Sequence, residues 1–528
     1  MKDRSKSGAS QVPALIAAAL ALAGAADLAR GDEPQAPKST PGVSALPAPA
    51  NERVPAPAPA VAAAPLAPPA TVSPPPAPPA PAPTPAVSAE ETGAAWFARP
   101  RLVLTAGQGK TAYKLRFFGF LEADYYYDTT RSYDDSMSTS LVARTDDYDN
   151  TSGRTQFSLK STHLGFGFDA PVIGSVAPTA VIEADFAGSQ PSPPASSEST
   201  FFASPIFRVR HAYVKLQNPY VDVLMGHTFD VFGWQSYFDP SGLRNQLYSR
   251  NTQLRLSREF NSDGRVTFEV AASASRPVER DSGVPDGSGG VRVSFNGWQG
   301  IRTPGNERIV AMPMTFAVSG IVRQFKLNAY TPPPVQISNS AMGWGLSLDA
   351  FIPIIPAANF VDRGNRLALM CSYVKGTGIA DLLGVTGGAV FPYLFNPAMT
   401  YPPPTYDANA DPGLVTFDNH GLLHTIDWTA VRIGVQYYLP TTGRWIFSAN
   451  YTQAHSGNLA QLYPTSGAAR FNLQLHFADT SHYADAKLTY DVTPVVRVGL
   501  GGQYTNFVYV DGNSPHNLRI AASSIYLF

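Results

Sequence analysis

Residues 114–128 read Lys-Leu-Arg-Phe-Phe-Gly-Phe-Leu-Glu-Ala-Asp-Tyr-Tyr-Tyr-Asp. One parity holds Leu115, Phe117, Gly119, Leu121, Ala123, Tyr125 and Tyr127, and the other holds Lys114, Arg116, Glu122 and Asp124. Successive side chains of an extended chain point to opposite sides, so a greasy parity against a charged one reads as a two-faced β-strand. The same division recurs along the chain. Ile182, Ala184 and Phe186 alternate with Glu183 and Asp185, and Phe207, Val209 and Tyr213 stand against Arg208 and Arg210. Trp445, Phe447, Ala449 and Tyr451 face away from Ser448, Asn450 and Thr452, and Val496, Val498, Leu500 and Tyr504 from Arg497 and Gln503.

Alternation alone fits a soluble sandwich as well as an inside-out barrel, and spacing and termini separate the two. Tight turns at 170–175, 218–219, 262–264, 441–443 and 492–494 alternate with long polar loops at 129–153, 188–204, 230–251, 277–290 and 379–424. Short turns at one end and long loops at the other are the plan of a bacterial outer-membrane barrel. The strand count from 114 to 528 is sixteen if 291–300 and 309–326 are separate strands. An even number returns both chain ends to one side and leaves no backbone unpaired in lipid. The last strand, 515–528, carries Leu518, Ile520, Ala522, Tyr526 and Phe528 on one parity. That aromatic ending, with Tyr526 and Phe528, is similar to the signal read by the barrel-assembly machinery.

The fold class expected is therefore all-β, a transmembrane antiparallel barrel over 96–528, preceded by two segments of other character. Lys2, Arg4 and Lys6 precede an apolar run from Val12 to Ala26 that ends in Ala23-Gly24-Ala25, so 1–26 reads as a signal peptide. Between Pro34 and Pro85 lie 19 of the chain's 48 prolines, interleaved mainly with Ala, which leaves too little large apolar surface to fold. Residues 27–95 are expected to be a disordered periplasmic linker, partly polyproline II.

Composition removes several functions. Lys and Arg number 39 against 40 Asp and Glu, a net charge of -1, so nothing draws the chain to nucleic acid. The single cysteine, Cys371, rules out an intramolecular disulfide framework and a multi-cysteine metal site. No phosphate-binding loop, dinucleotide fingerprint, zinc-protease motif or nucleophile elbow occurs, so no cofactor, metal or enzymatic chemistry is expected.

A sixteen-stranded barrel leaves an aqueous channel, which makes a porin the default function. The polar parity would line it with Arg116, Arg154, Lys160, Arg208, Arg210, Arg255, Arg432 and Arg497, and with Glu122, Asp124, Glu183, Asp185 and Glu259. Opposed cations and anions set a transverse field that steers charged solutes, although such charges also pair with one another and solvate the wall. Arg208 and Arg210 are the favoured solute-facing pair. The 230–251 loop holds Trp234, Tyr237, Phe238, Asp239, Arg244, Tyr248 and Arg250 and could fold inward as a constriction for anionic or aromatic solutes; packing on the rim or a neighbouring subunit is the alternative. Asp134, Asp135, Asp146, Asp147 and Asp149 form a first-loop cluster that reads first as a solvated acidic loop and second as a divalent-cation or lipopolysaccharide contact. His211 falls on the lipid-facing parity with Tyr213.

The segments Phe118-Gly119-Phe120-Leu121-Glu122-Ala123-Asp124, Phe207-Arg208-Val209-Arg210-His211-Ala212-Tyr213-Val214-Lys215-Leu216 and Leu224-Met225-Gly226-His227-Thr228-Phe229-Asp230-Val231-Phe232 resemble the DcaP-like outer-membrane porins. The resemblance is clearest over 114–260. It implies a homotrimer in the outer membrane of a Gram-negative bacterium, in contact with outer-membrane lipid and lipopolysaccharide, taking up small hydrophilic, often anionic organic solutes by passive diffusion. The N-terminus departs from the family, where a coiled coil commonly stands in place of the Pro/Ala tract. A structural or adhesive barrel plugged by the 379–424 loop, which contains Tyr401-Pro402-Pro403-Pro404, is the competing reading.

Overall fold

The computed structural model describes residues 102–132, 142–188, 206–233, 249–262, 264–277, 282–303, 310–330, 336–357, 363–383, 413–417, 423–462 and 478–528. The expected signal peptide and the Pro/Ala linker lie outside the described residues.

The strands are β1 (Leu102–Ala106), β2 (Tyr113–Asp128), β3 (Arg154–Ser158), β4 (His163–Asp169), β5 (Ala177–Asp185), β6 (Arg208–Gln217), β7 (Asp222–Phe229), β8 (Arg250–Ser262), β9 (Val266–Ser275) and β10 (Asp286–Arg302). They continue with β11 (Val310–Tyr330), β12 (Gln336–Ile355), β13 (Arg366–Thr377), β14 (Val415–Phe417), β15 (Leu423–Thr425), β16 (Asp427–Tyr438), β17 (Trp445–Ser456), β18 (Ala478–Asp491), β19 (Val496–Tyr509) and β20 (His516–Leu527). All but the β14–β15 hairpin belong to one 18-stranded antiparallel sheet. Among the described residues these make sixteen staves. β3 and β4 are two halves of one stave along β2, and β1 continues the line of β20 on the other side of β2. β10 and β11 are separate strands, as the sixteen-strand count requires.

Closure is the pairing of β20 with β2, from Phe120 opposite Leu527 to Asp128 opposite Arg519. The terminal residue finishes the seam. Gly119 and Phe528 exchange backbone hydrogen bonds at 3.4 and 3.2 Å, and the Phe528 ring stacks on Phe117 at 4.8 Å between centroids. Glycine is required there, since a Cβ at 119 would lie 2.2 Å from the His163 carbonyl oxygen. The β3–β4 stave is interrupted between Ser158 and His163, where the Thr162 hydroxyl accepts from the Glu122 N–H at 3.0 Å and donates to its carbonyl at 3.3 Å. The side chain thus replaces the missing ladder bonds.

The two faces are inverted relative to a water-soluble protein. Leu121, Phe157, Met225, Val322, Leu346, Ile433, Leu500 and Ile520 are exposed on the outside, while Glu122, Asp124, Asp128, Arg432, Lys487, Arg497 and Arg519 are buried inside. A continuous apolar belt around a closed sheet is stable only against hydrocarbon, and closure leaves no strand edge there. The connections alternate as the sequence indicates, with short turns at one end. β10 and β8 reach further into the long-loop end than expected, beginning at Asp286 and Arg250. Ile433→Arg, near the middle of β16 on the outer face, should destabilise folding into lipid vesicles by about 2–4 kcal/mol. A urea titration showing no loss would mean that this face does not meet hydrocarbon.

Candidate functional site

The lumen wall is built from the inward parity of each stave. Its densest charge cluster lies on β4, β5 and β6. The Arg208 guanidinium grips both carboxylate oxygens of Asp185, with Nε at 2.9 Å and Nη2 at 2.6 Å. Arg210 donates from Nη1 to Asp185 at 2.9 Å and from Nε to Glu183 at 2.9 Å, and His163 Nδ1 stands 3.4 Å from the same Glu183 oxygen. Two guanidiniums therefore face two carboxylates. Arg210 is enclosed, whereas the Arg208 side chain keeps 43% of its surface exposed.

A β-bulge creates the cluster and corrects the sequence reading of β6. Glu183 pairs with His211 and Ala184 with Val209, so Arg210 is the extra residue and the parity reverses beyond it. His211 and Tyr213 consequently belong to the inner face, not to lipid. His211 Nδ1 lies 3.0 Å from Thr228 Oγ1, and Tyr213 stands opposite Gly226. Gly226 has φ +135°, and a Cβ there would come 2.3 Å from the Ala212 carbonyl.

The other predicted residues are spread around the wall. Glu122 and Asp124 are buried on β2, next to Asp128, which holds Arg519 through two 2.7 Å bonds, and Arg154 pairs opposite Asp128. Arg432 reaches Asn450 at 3.5 Å, and Asn450 donates to Asp485 at 3.1 Å. Arg255 donates to Gln253 at 3.1 Å and to the Phe229 carbonyl. Lys160 is buried in the break between β3 and β4. Two predicted arginines mark the short-turn end: Arg116 pairs with Asp169 at 2.7 Å, and Arg497 shares Asp491 with Arg363 at 2.7 and 2.8 Å. Sequence reading missed Arg323, Asp381, Arg363, Asp128, Arg519 and Lys487 as parts of this lining.

Loops enter the mouth from three sides. After β7 the chain turns inward: Val231 and Phe232 are buried, the Gly233 N–H donates to Ser319 Oγ on β11 at 2.8 Å, and the Phe232 ring lies against Gly345 of β12. Trp234, Tyr237, Asp239, Arg244 and Tyr248 lie outside the described residues, and Arg250 packs its guanidinium 5.6 Å from the Phe229 ring centroid. The β13–β16 connection packs Ile379, Leu382, Leu383, Leu414, Val415 and Ile426 on Phe325, Val374, Trp428 and Tyr483 of the inner wall.

The first loop docks on the β19–β20 hairpin. Tyr509 donates to the Val142 carbonyl at 2.7 Å, and Arg144 bridges Asp511 at 2.6 Å and Asp146 at 3.1 Å. Asp147 accepts from the Asp149 N–H at 3.1 Å, Asp134 and Asp135 are outside the described residues, and no metal-holding cluster occurs among those described. The hydrogen bond from Arg144 holds the Asp511 carboxyl below the usual carboxylate range.

No family model matches the chain, and no curated protein matches it. Among solved structures it is similar to the outer-membrane channel DcaP of Acinetobacter baumannii, at 16% identity over 80% of this chain and 100% of that one, with a TM-score of 0.51. The fold is that of the DcaP channel. Lower-scoring similarities include an anion-selective porin from Comamonas acidovorans (9% identity, 79% and 100% of the two chains, TM-score 0.43) and Pseudomonas putida OprB at high pH (12%, 78% and 94%, 0.43). The DcaP fold agrees with the resemblance carried by the Phe207–Leu216 segment.

A group with a depressed folded-state pKa stabilises above its unfolded pKa and loses that contribution as pH falls through the folded value. Asp511→Asn should therefore make the 142–150 segment easier to cleave by protease at neutral pH. The difference from wild type should disappear in acid, and cleavage equal at every pH would remove the Arg144–Asp511 pair from loop docking.

Proposed function

We propose that the protein is an outer-membrane porin of a Gram-negative bacterium, admitting small hydrophilic, preferentially anionic organic solutes by passive diffusion without cofactor or energy coupling. The observation that carries this reading is the inverted barrel: sixteen staves with an apolar exterior and an interior lined by paired charges of both signs. A barrel of that size encloses a channel, unlike one of eight strands. Arg208 supports the anion preference, because its side chain keeps 43% of its surface exposed while the Asp185 carboxylate that it grips is covered. In the same reading 1–26 directs export, 27–95 is a periplasmic tether, Tyr526 and Phe528 present the assembly signal, and three copies associate in contact with lipopolysaccharide.

One observation favours a second reading, a plugged structural or adhesive barrel: the β13–β16 connection fills part of the lumen mouth with apolar side chains. Single-channel recording in a planar bilayer separates the two. A porin gives stepwise conductance with closures in threes, whereas a folded barrel that conducts nothing is plugged. Arg208→Ala should lower the anion-to-cation permeability ratio about twofold or more, read as a shift in reversal potential across a salt gradient. Adding Arg210→Ala should enlarge the shift, and unchanged potentials would remove both residues from the selectivity filter.

A further inference from the structure

Arg323, on β11, is 1% exposed, and its guanidinium is committed in two directions. Toward the wall, Nε donates to Asp286 of β10 at 2.9 Å. Toward the β13–β16 connection, Nη1 and Nη2 donate to the two oxygens of Asp381 at 2.6 and 2.8 Å, and Nη1 also reaches the Gly378 carbonyl at 3.0 Å. One cation thus ties a loop to the barrel by a fork on a carboxylate, the strongest hydrogen-bond geometry open to a side chain. The tie closes over a contiguous apolar cluster to which the loop contributes Ile379, Leu382, Leu383, Leu414 and Ile426, and the wall contributes Ile321, Phe325, Val374 and Trp428. Phe232, from the connection after β7, enters the same cluster. Further bonds hold both ends of the loop: the Gly378 N–H donates to the Ile426 carbonyl at 2.9 Å, and Trp428 Nε1 donates to the Gly413 carbonyl at 2.9 Å.

We propose that Arg323 is a latch that holds the described residues of the β13–β16 connection inside the barrel, and that the latched loop makes the channel eccentric, running along the β2–β6 wall past Arg208. The physical basis is two-sided. Apolar loop side chains gain by leaving water for the cluster, yet the carboxylate of Asp381 enters a place where it is costly unless paired. Arg323 supplies the pair, and its Nε–H at the same time serves Asp286 of the wall. Loss of Arg323 strands the Asp381 carboxylate against an apolar cluster, and loss of the Asp381 charge replaces a charge-assisted fork with ordinary hydrogen bonds that hold the loop less tightly. The opposite wall, on β5 and β6, is where the exposed arginine is found.

The proposal rests on the porin reading for its conductance consequence but not for the latch itself, so the test has two readouts. Asp381→Asn removes the loop's charge and leaves the Arg323–Asp286 pair in the wall, and Arg323→Gln removes the latch outright. With either variant folded, judged by its β-sheet circular dichroism in detergent, single-channel conductance should rise roughly 1.5-fold or more as the loop frees the lumen. Independently, Leu382→Cys in a Cys371→Ser background should react slowly with a membrane-impermeant thiol reagent in otherwise native protein, and at least about tenfold faster when Asp381→Asn is added. Equal labelling rates in the two backgrounds overturn the latch whether or not the protein conducts. Faster labelling with unchanged conductance overturns the eccentric channel and leaves the latch standing.

Discussion

In hydrocarbon no water is present to satisfy a backbone N–H or carbonyl, and each group left unpaired costs several kcal/mol. The pairing of β20 with β2 removes that cost, and the remaining architecture depends on it. It requires an even number of staves, a stretch in which two strands share one partner, and a chain end placed where Gly119 meets Phe528. Even the break between β3 and β4 obeys the rule, with the Thr162 hydroxyl standing in for the interrupted ladder.

Inside the barrel the same economy governs charge. Arg208 and Arg210 against Asp185 and Glu183, Arg519 against Asp128, and Arg497 with Arg363 against Asp491 are compact sets in which opposite charges share hydrogen bonds. In such sets the mutual attraction and shared hydrogen bonds offset part of the desolvation cost that each charge bears, and removing one partner leaves that cost uncompensated. The sets differ in which member stays accessible, and on the β5–β6 wall that member is Arg208. The opposite wall is different in kind, since there the loop after β13 and the first residues after β7 cover the inner face with apolar side chains.

That difference explains where alternation reads well and where it fails. On most of β2, β3, β17 and β20 the inner residues are polar and the outer ones apolar, with Phe120, Ile525 and Leu527 as an apolar patch on the inner side, so the alternation stays legible. On β11, β13 and β16 the inner face carries Ile321, Phe325, Val374, Trp428 and Ala430 beneath the folded-in loop. Both parities are then apolar around Arg323, and the period of two fades there. The bulge at Arg210 is hidden for another reason: a single extra residue reverses parity without altering composition, so His211 and Tyr213 seemed to face lipid.

The sequence by itself determined the class of fold, the sixteen-stave count, the alternation of short turns and long loops, and the aromatic closing strand. Those features follow from the one-dimensional requirement that each membrane-crossing strand be apolar on one side and end in a turn. Only the tertiary structure decided which charges become partners, that Arg208 is exposed while Arg210 is not, and that the described residues after β13 pack on the inner wall. These depend on strand register and on contacts between residues far apart in the chain, such as Arg323 with Asp381 and Asp128 with Arg519, whose energies exist only after the sheet has closed.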